Sequence, residues 1–135
     1  MKKEQKLTAQ IALALTVGLL SLNPAGYAMP QGGTSDTAKI ATSSTQMDIT
    51  SEKRNNVVNW TSFSIAKGET VQFDKGAQTN NYLNIVKGTS MSEIYGTMKG
   101  GNNVYLINPN GILFGAGAQV NVGHLIASTR PLDAV

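Results

Sequence analysis

The chain has 135 residues, no cysteine, one histidine and a formal net charge of +3. That length holds one ordinary domain. The missing thiols exclude a disulfide framework, a thiolate metal site, a cysteine nucleophile and a lipid-modified N-terminal cysteine. Zinc chemistry is nearly excluded as well, because His124 would have to act alone. Charged residues make up 14% of the chain, below the usual quarter, and a pI near 9.3 points at first to an acidic partner such as nucleic acid.

Residues 1–28 carry targeting chemistry. Lys2, Lys3 and Lys6 form a basic start, an uncharged apolar run extends from Leu7 to Leu22, and Pro24 breaks it. Gly26-Tyr27-Ala28 then places small residues at −3 and −1 of a peptidase site, so the segment is expected to be a secretory signal peptide cleaved after Ala28. The run is shorter than the roughly 20 apolar residues that span a bilayer. Of the 11 basic residues three lie here, and of the 8 acidic ones Glu4 does, which leaves a net charge of +1. The basicity belongs to the leader. No Lys/Arg stripe with interleaved aromatics remains, so nucleic acid is not expected as a partner.

Residues 29–46 form a polar, Gly/Ser/Thr-rich segment with Ile40 as its only large aliphatic residue, which alone suggests a linker or a loosely held N-terminal piece. From Met47 onward, short apolar or alternating pieces end at turn residues. Val57–Trp60 and Phe63–Ile65 are followed by the turn Ala66–Glu69. Val71–Phe73 stops at Asp74-Lys75-Gly76, Tyr82–Val86 at Lys87-Gly88, and Ile94–Met98 at Gly100–Asn103. Val104–Ile107, Ile112–Phe114, Val120–Val122 and Leu125–Ala127 complete the series. This is strand periodicity, and no stretch offers ten residues of helical period without a breaker. The class is all-β.

Spacing alone suits a sandwich, a barrel, a meander or a β-solenoid. Three-residue strands with Gly/Asn corners match a parallel β-helix, in which coils stack about 4.8 Å apart. Asn84, Asn121 and the pair Asn102-Asn103 are candidates for polar ladders at the corners. At this level a solenoid and an antiparallel meander stand level.

Asn108-Pro109-Asn110-Gly111-Ile112 is the most specific run. Pro109 presets φ for position i+1 of a turn, Asn108 can cap it with its side chain, Asn110 tolerates i+2 and Gly111 lets the chain re-enter a strand. The spacing predicts a type I turn between Val104–Ile107 and Ile112–Phe114.

From Trp60 to Arg130 the chain resembles the N-terminal secretion domain of filamentous haemagglutinin-type exoproteins, the exported partner in two-partner secretion. The blocks that carry the resemblance are Trp60-Thr-Ser-Phe63-Ser-Ile65, Gly68–Phe73, Leu83-Asn84 with Val86, Ile94-Tyr-Gly96, Val104–Gly115 with its Asn-Pro-Asn-Gly-Ile core, Ala118–Val122 and Leu125–Ser128. Ile85 stands where family members often carry Arg after Leu-Asn. The family's domain is longer than the present chain, so residues 47–135 are expected to form an incomplete secretion domain behind a capping segment at 29–46.

The resemblance implies a right-handed, single-stranded parallel β-helix exported by the Sec route. It further implies recognition by the periplasmic domains of a dedicated outer-membrane pore, with folding outside the cell nucleating a longer shaft. Asn108–Ile112 would be the secretion motif, supported by Trp60, Phe63, Ile65, Leu83 and Asn84. No cofactor, metal or active site is implied, and adhesion to host cells or glycans would lie beyond Val135.

Two rival functions find less support in the residues. Catalysis on polysaccharides would need paired carboxylates, but Asp36, Asp48, Glu52, Glu69, Asp74, Glu93 and Asp133 are scattered and read as solvated surface, with His124 at a strand start. Direct glycan binding would use exposed aromatics at Trp60, Tyr82, Tyr95 or Tyr105, against a core role for Trp60 and Phe63.

Overall fold

The structure, a computed structural model, describes residues 28–131. The signal peptide expected at 1–28 therefore falls outside the described residues apart from Ala28. Eleven strands follow in order: β1 (Lys39–Thr42), β2 (Gln46–Thr50), β3 (Asn55–Trp60), β4 (Thr70–Phe73), β5 (Asn81–Val86), β6 (Ser92–Ile94), β7 (Thr97–Lys99), β8 (Asn103–Ile107), β9 (Ile112–Phe114), β10 (Gln119–Asn121) and β11 (His124–Ser128). Among the described residues no helix is long and apolar enough to cross a membrane.

Pairing decides between solenoid and meander. β2, β4, β7 and β10 pair in parallel, as do β3, β5, β8 and β11, and as do β6 and β9. Each of these strands thus lies beside its counterpart one coil later rather than beside its neighbour in sequence. The result is a parallel β-solenoid of about four turns. The meander is excluded.

Register places like positions in columns. Met47, Val71, Met98 and Val120 stack along one sheet, and Asn56, Tyr82, Val104 and Leu125 along the second. Because alternate side chains point to one face, the inward positions make the core: Ile49, Val58, Trp60, Phe63, Phe73 and Leu106 are among its buried members. Trp60 and Phe63 meet edge to face with centroids 5.4 Å apart, and Phe73 and Tyr82 lie 4.8 Å apart.

Three local readings change. Ile94–Met98 is not one strand: it bends between β6 and β7 at Tyr95-Gly96. A Cβ at Gly96 would run into the Ala66 and Glu69 carbonyls, so only glycine lets the corner pack this closely. Phe63–Ile65 contributes a single bridge, Ile65 to Ile94, rather than a strand. The third change concerns the polar segment that read as a linker. It is tied down over β3, with Gln31 bridged to Ser62 and Thr34 to Asn59, and β1 pairs antiparallel with β2.

The asparagine ladder forms through the Asn102-Asn103 pair, joined by Asn55 and Asn81. Asn81 donates to Asn55 Oδ1 at 2.8 Å and accepts from Asn102 Nδ2 at 3.0 Å and Asn103 Nδ2 at 3.1 Å. Asn84 is instead buried mid-strand. Its Oδ1 accepts from Trp60 Nε1 at 2.9 Å and its Nδ2 donates to the Tyr105 carbonyl at 3.1 Å. A buried amide partnered at both ends avoids the cost of an orphaned polar group.

Candidate functional site

The Asn108–Ile112 segment turns the third coil between β8 and β9. Gly111 N donates to the Asn108 carbonyl at 3.1 Å, closing the four-residue turn. Asn110 is not among the residues with positive φ, which excludes type II and agrees with type I, whereas Gly111 has φ +119°. Asn108 Oδ1 accepts from Asn110 N at 2.9 Å, so the side chain caps its own turn.

The same turn joins coils. Asn108 is fully buried, and its Nδ2 donates to the Ser90 carbonyl and to Ser92 Oγ, both at 3.0 Å, in the preceding coil. Asn110 Nδ2 donates to the Gly88 carbonyl at 2.8 Å. Ser92 N donates to the Gly111 carbonyl at 2.9 Å, and Asn108 N to the Ser128 carbonyl of the following coil at 3.0 Å. Three coils therefore meet at this pentapeptide. Its inner half is structural, while Pro109 and Asn110 stand exposed at the tip.

A shallow groove of about 360 Å³ runs beside the tip, lined by Ile85, Lys87, Ile107, Pro109, Asn110 and Pro131 among others. Ile85, which replaces the expected Arg, faces this groove. The remaining segment residues separate by face. Trp60, Phe63, Ile65 and Asn84 are buried, but Leu83 lies half-exposed on the outer side of β5. Period two forces that outcome: Tyr82, Asn84 and Val86 point inward, so Leu83 lies on the outer face.

Two of the four aromatics open to sugar stacking are unavailable for it, and Trp60 takes the core role instead. Trp60 is 1% exposed and Tyr82 is fully buried. Tyr82 OH donates to Asp74 Oδ1 at 2.6 Å. Burial foremost, then that hydrogen bond and the Asp74 charge, push the Tyr82 phenol far above its ordinary value. Tyr95 and Tyr105 remain partly accessible.

Sequence reasoning missed two organising carboxylates. Asp74 takes left-handed φ of +55° at the corner after β4 and accepts from Asn80 N at 2.8 Å and Asn80 Nδ2 at 3.1 Å as well as from Tyr82. Its position before Lys75-Gly76 signalled a turn but not this collar of donors. Glu69, read as solvated surface, is 1% exposed. Its Oε1 accepts from Ala66 N at 2.8 Å and from Met29 N at 2.9 Å, which explains how a carboxylate is held inside. Among the described residues no cluster of three or more His, Asp or Glu is arranged to hold a metal ion.

Comparison with known proteins agrees with this geometry. The model of the TPS secretion domain matches residues 26–133. The chain belongs to the TPS secretion domain family. The family is a secretion domain rather than a catalytic one, and membership implies an exported protein of Gram-negative bacteria with a cognate outer-membrane transporter as its partner.

Two relatives named heme/hemopexin-binding protein, both from Haemophilus influenzae, are similar to it. One is 31% identical over 109 residues and the other 35% over 78 residues, covering 79% and 58% of this chain. The chain spans only 12% and 8% of those relatives' lengths. Among solved structures, the secretion domain of HMW1 from Haemophilus influenzae is similar with a TM-score of 0.67 and 29% identity, over 76% of this chain and 28% of that one. The TPS secretion domain fold thus accounts for the parallel solenoid.

Proposed function

We propose that this TPS secretion domain directs an exoprotein through its cognate outer-membrane transporter and then seeds the folding of further coils. Family membership supports the export role. The observation that supports the seeding role is the parallel stacking itself, in which each coil pairs along its backbone with the one before it, from β2 to β4, β7 and β10. β11 pairs with β8 on one side only among the described strands. Such an edge adds extended chain by backbone pairing. The transporter's periplasmic domains would meet the domain as an unfolded or edge-exposing chain, and the exposed tip Pro109-Asn110 with its groove is the surface we assign to recognition.

Export needs no catalytic residue, and the domain is read as a non-enzyme that leaves the cell by the Sec route and the outer-membrane pore. The heme/hemopexin binding named for the relatives belongs to much longer proteins, and adhesion or ligand binding is placed outside residues 47–135. The domain limits proposed are 1–28 for the leader, 29–46 for the cap and 47–135 for the solenoid.

The test is co-expression with the cognate transporter, comparing Asn108→Ala, Pro109→Ala and Gly111→Val with wild type. Secretion of Asn108→Ala and Gly111→Val is expected to fall with loss of folding, because one breaks the joints between coils and the other forces a β-branched side chain to φ +119°. Pro109→Ala is expected to fold and yet be exported poorly. Normal export of all three would refute the assignment of the motif.

A further inference from the structure

Glu69 stands out among the charged residues. It is 1% exposed, and among the described residues its oxygens are met by backbone N–H groups rather than by a lysine or arginine. A buried carboxylate without a countercharge is costly. Three of the four contacts come from one place, the start of the cap: Ala28 N lies 3.1 Å from Oε1 and 3.2 Å from Oε2, and Met29 N lies 2.9 Å from Oε1. Independently, Gly26-Tyr27-Ala28 reads as a peptidase site whose scissile bond joins Ala28 to Met29.

The two observations converge on one nitrogen. Hydrolysis by a signal peptidase adds water across that amide: the C–N bond breaks, Ala28 leaves with a carboxylate, and Met29 keeps its nitrogen as an ammonium. We infer that Glu69 is a receptor for the α-ammonium of Met29, so that removal of the leader supplies the buried countercharge and locks the N-terminal cap onto the first two coils. This rests on the proposed cleavage after Ala28.

The geometry suits the exchange. Cleavage removes the Ala28 N–H that reaches both carboxylate oxygens, and the ammonium brings three donors and a positive charge to the same place. Met29 is itself buried in the core cluster, so its side chain anchors the nitrogen beside Glu69, while Ala28 is exposed and free to depart. Ala66 N remains on Oε1 and fixes the carboxylate from the side of its own turn. The amine would thus tie the cap to the turn that leads into β4.

The experiment uses the full chain exported to the periplasm, as wild type and Glu69→Gln, alongside an Ala28→Leu precursor whose bulky −1 residue resists the peptidase. Mass spectrometry reads the N-terminus. Acylation by an N-hydroxysuccinimide ester then reads access to the α-amine, with exposed lysines as internal standards. Expected are a chain starting at Met29 and an α-amine acylated at least about tenfold more slowly than a free peptide amine. In Glu69→Gln that protection should be lost.

Replacing Glu69 should also lower the folding equilibrium constant at least about a hundredfold more in the cleaved chain than in the precursor, as expected when one partner is removed from a buried ion pair. A chain that starts at Met29 with a freely reactive amine, or an equal effect of Glu69→Gln in both forms, would overturn the capture and leave the cleavage reading standing. A chain that starts elsewhere would overturn both. Should Glu69→Gln fail to fold, the acylation rate of wild type still decides.

Discussion

The first and last described coils of this solenoid differ in how their edges are paired. At the first coil, β3 would present an open row of backbone donors and acceptors, and residues 31–34 cover part of it with short antiparallel bonds. Gln31 N reaches the Ser62 carbonyl at 3.0 Å, and Thr34 and Asn59 exchange bonds of 2.9 Å in both directions. At the last coil, β9, β10 and β11 have described partners on one side only, and Leu113, Phe114, Val120 and Ile126 are about 40% exposed. Antiparallel pairing ends a parallel stack because the returning chain offers no further coil. A parallel edge invites another one.

The comparison is broken most severely from the capped end. Trp60→Ala should cost about 3–5 kcal/mol. It removes the ring packed on Phe63 and leaves Asn84 Oδ1 without its donor in a fully buried position. The cap depends on the same ring, since a Cβ at Gly33 would collide with it. Urea denaturation should show a lower midpoint and weakened protection of residues 29–42 from proteolysis. Unchanged stability would mean that the cap and the core are independent.

Asn108→Ala should follow, at about 1–3 kcal/mol, because it strands the buried Ser92 hydroxyl and removes the turn's own cap. Hydrogen exchange is the sharper measurement. Amides of β9 to β11 should lose protection before those of β2 and β3, since the pentapeptide joins the later coils to the earlier ones. Uniform loss along the chain would show that the solenoid has no gradient of stability from end to end.

These two residues also show what the sequence disclosed. Asn-Pro-Asn-Gly gave its turn because every rule it obeys is local: a fixed proline φ, an Asx cap, a glycine at positive φ. Alternation likewise marked β4, β5 and β8. Which strands pair could not be seen, because a parallel coil and an antiparallel hairpin bury the same alternate residues. Only the register of strands a full coil apart separates them. Glu69 was misread for the same reason, as its partners at Ala28 and Met29 are 41 and 40 residues away. For Leu83 the alternation of β5 itself is enough to place it on the outer face.

Within the shaft, Tyr82 offers a gentler probe. Its phenol is held protonated by burial and by Asp74, so its folded value lies above the ordinary one near 10. A raised value means that the folded state binds the proton more tightly. The stability is fully present below pH 10 and is lost as pH rises beyond it, at up to about 1.4 kcal/mol per pH unit. Tyr82→Phe should lower stability at neutral pH by about 1 kcal/mol through the lost hydrogen bond, and the alkaline decline should become shallower. Denaturation midpoints at pH 8, 10 and 11 measure both. An identical slope in the two proteins would place the alkaline sensitivity elsewhere.

The smallest effect on stability is expected at the last described coil, where it is the most informative. Val120→Ser and Phe114→Ser alter side chains that are already about 40% exposed, so each should shift stability by no more than about 0.5 kcal/mol. Their consequence should appear in association instead. A one-sided parallel edge flanked by exposed apolar side chains is a template for added strands, and light scattering of the isolated domain should fall when those side chains become polar. The matching change at the capped end, Val57→Ser on the outer face of β3, removes a side chain of similar exposure, 46%. It should leave scattering unchanged, because the backbone there is already bridged. If both ends responded alike, hydrophobicity alone would govern association. A response confined to the last described coil would assign it to the parallel edge of β9, β10 and β11.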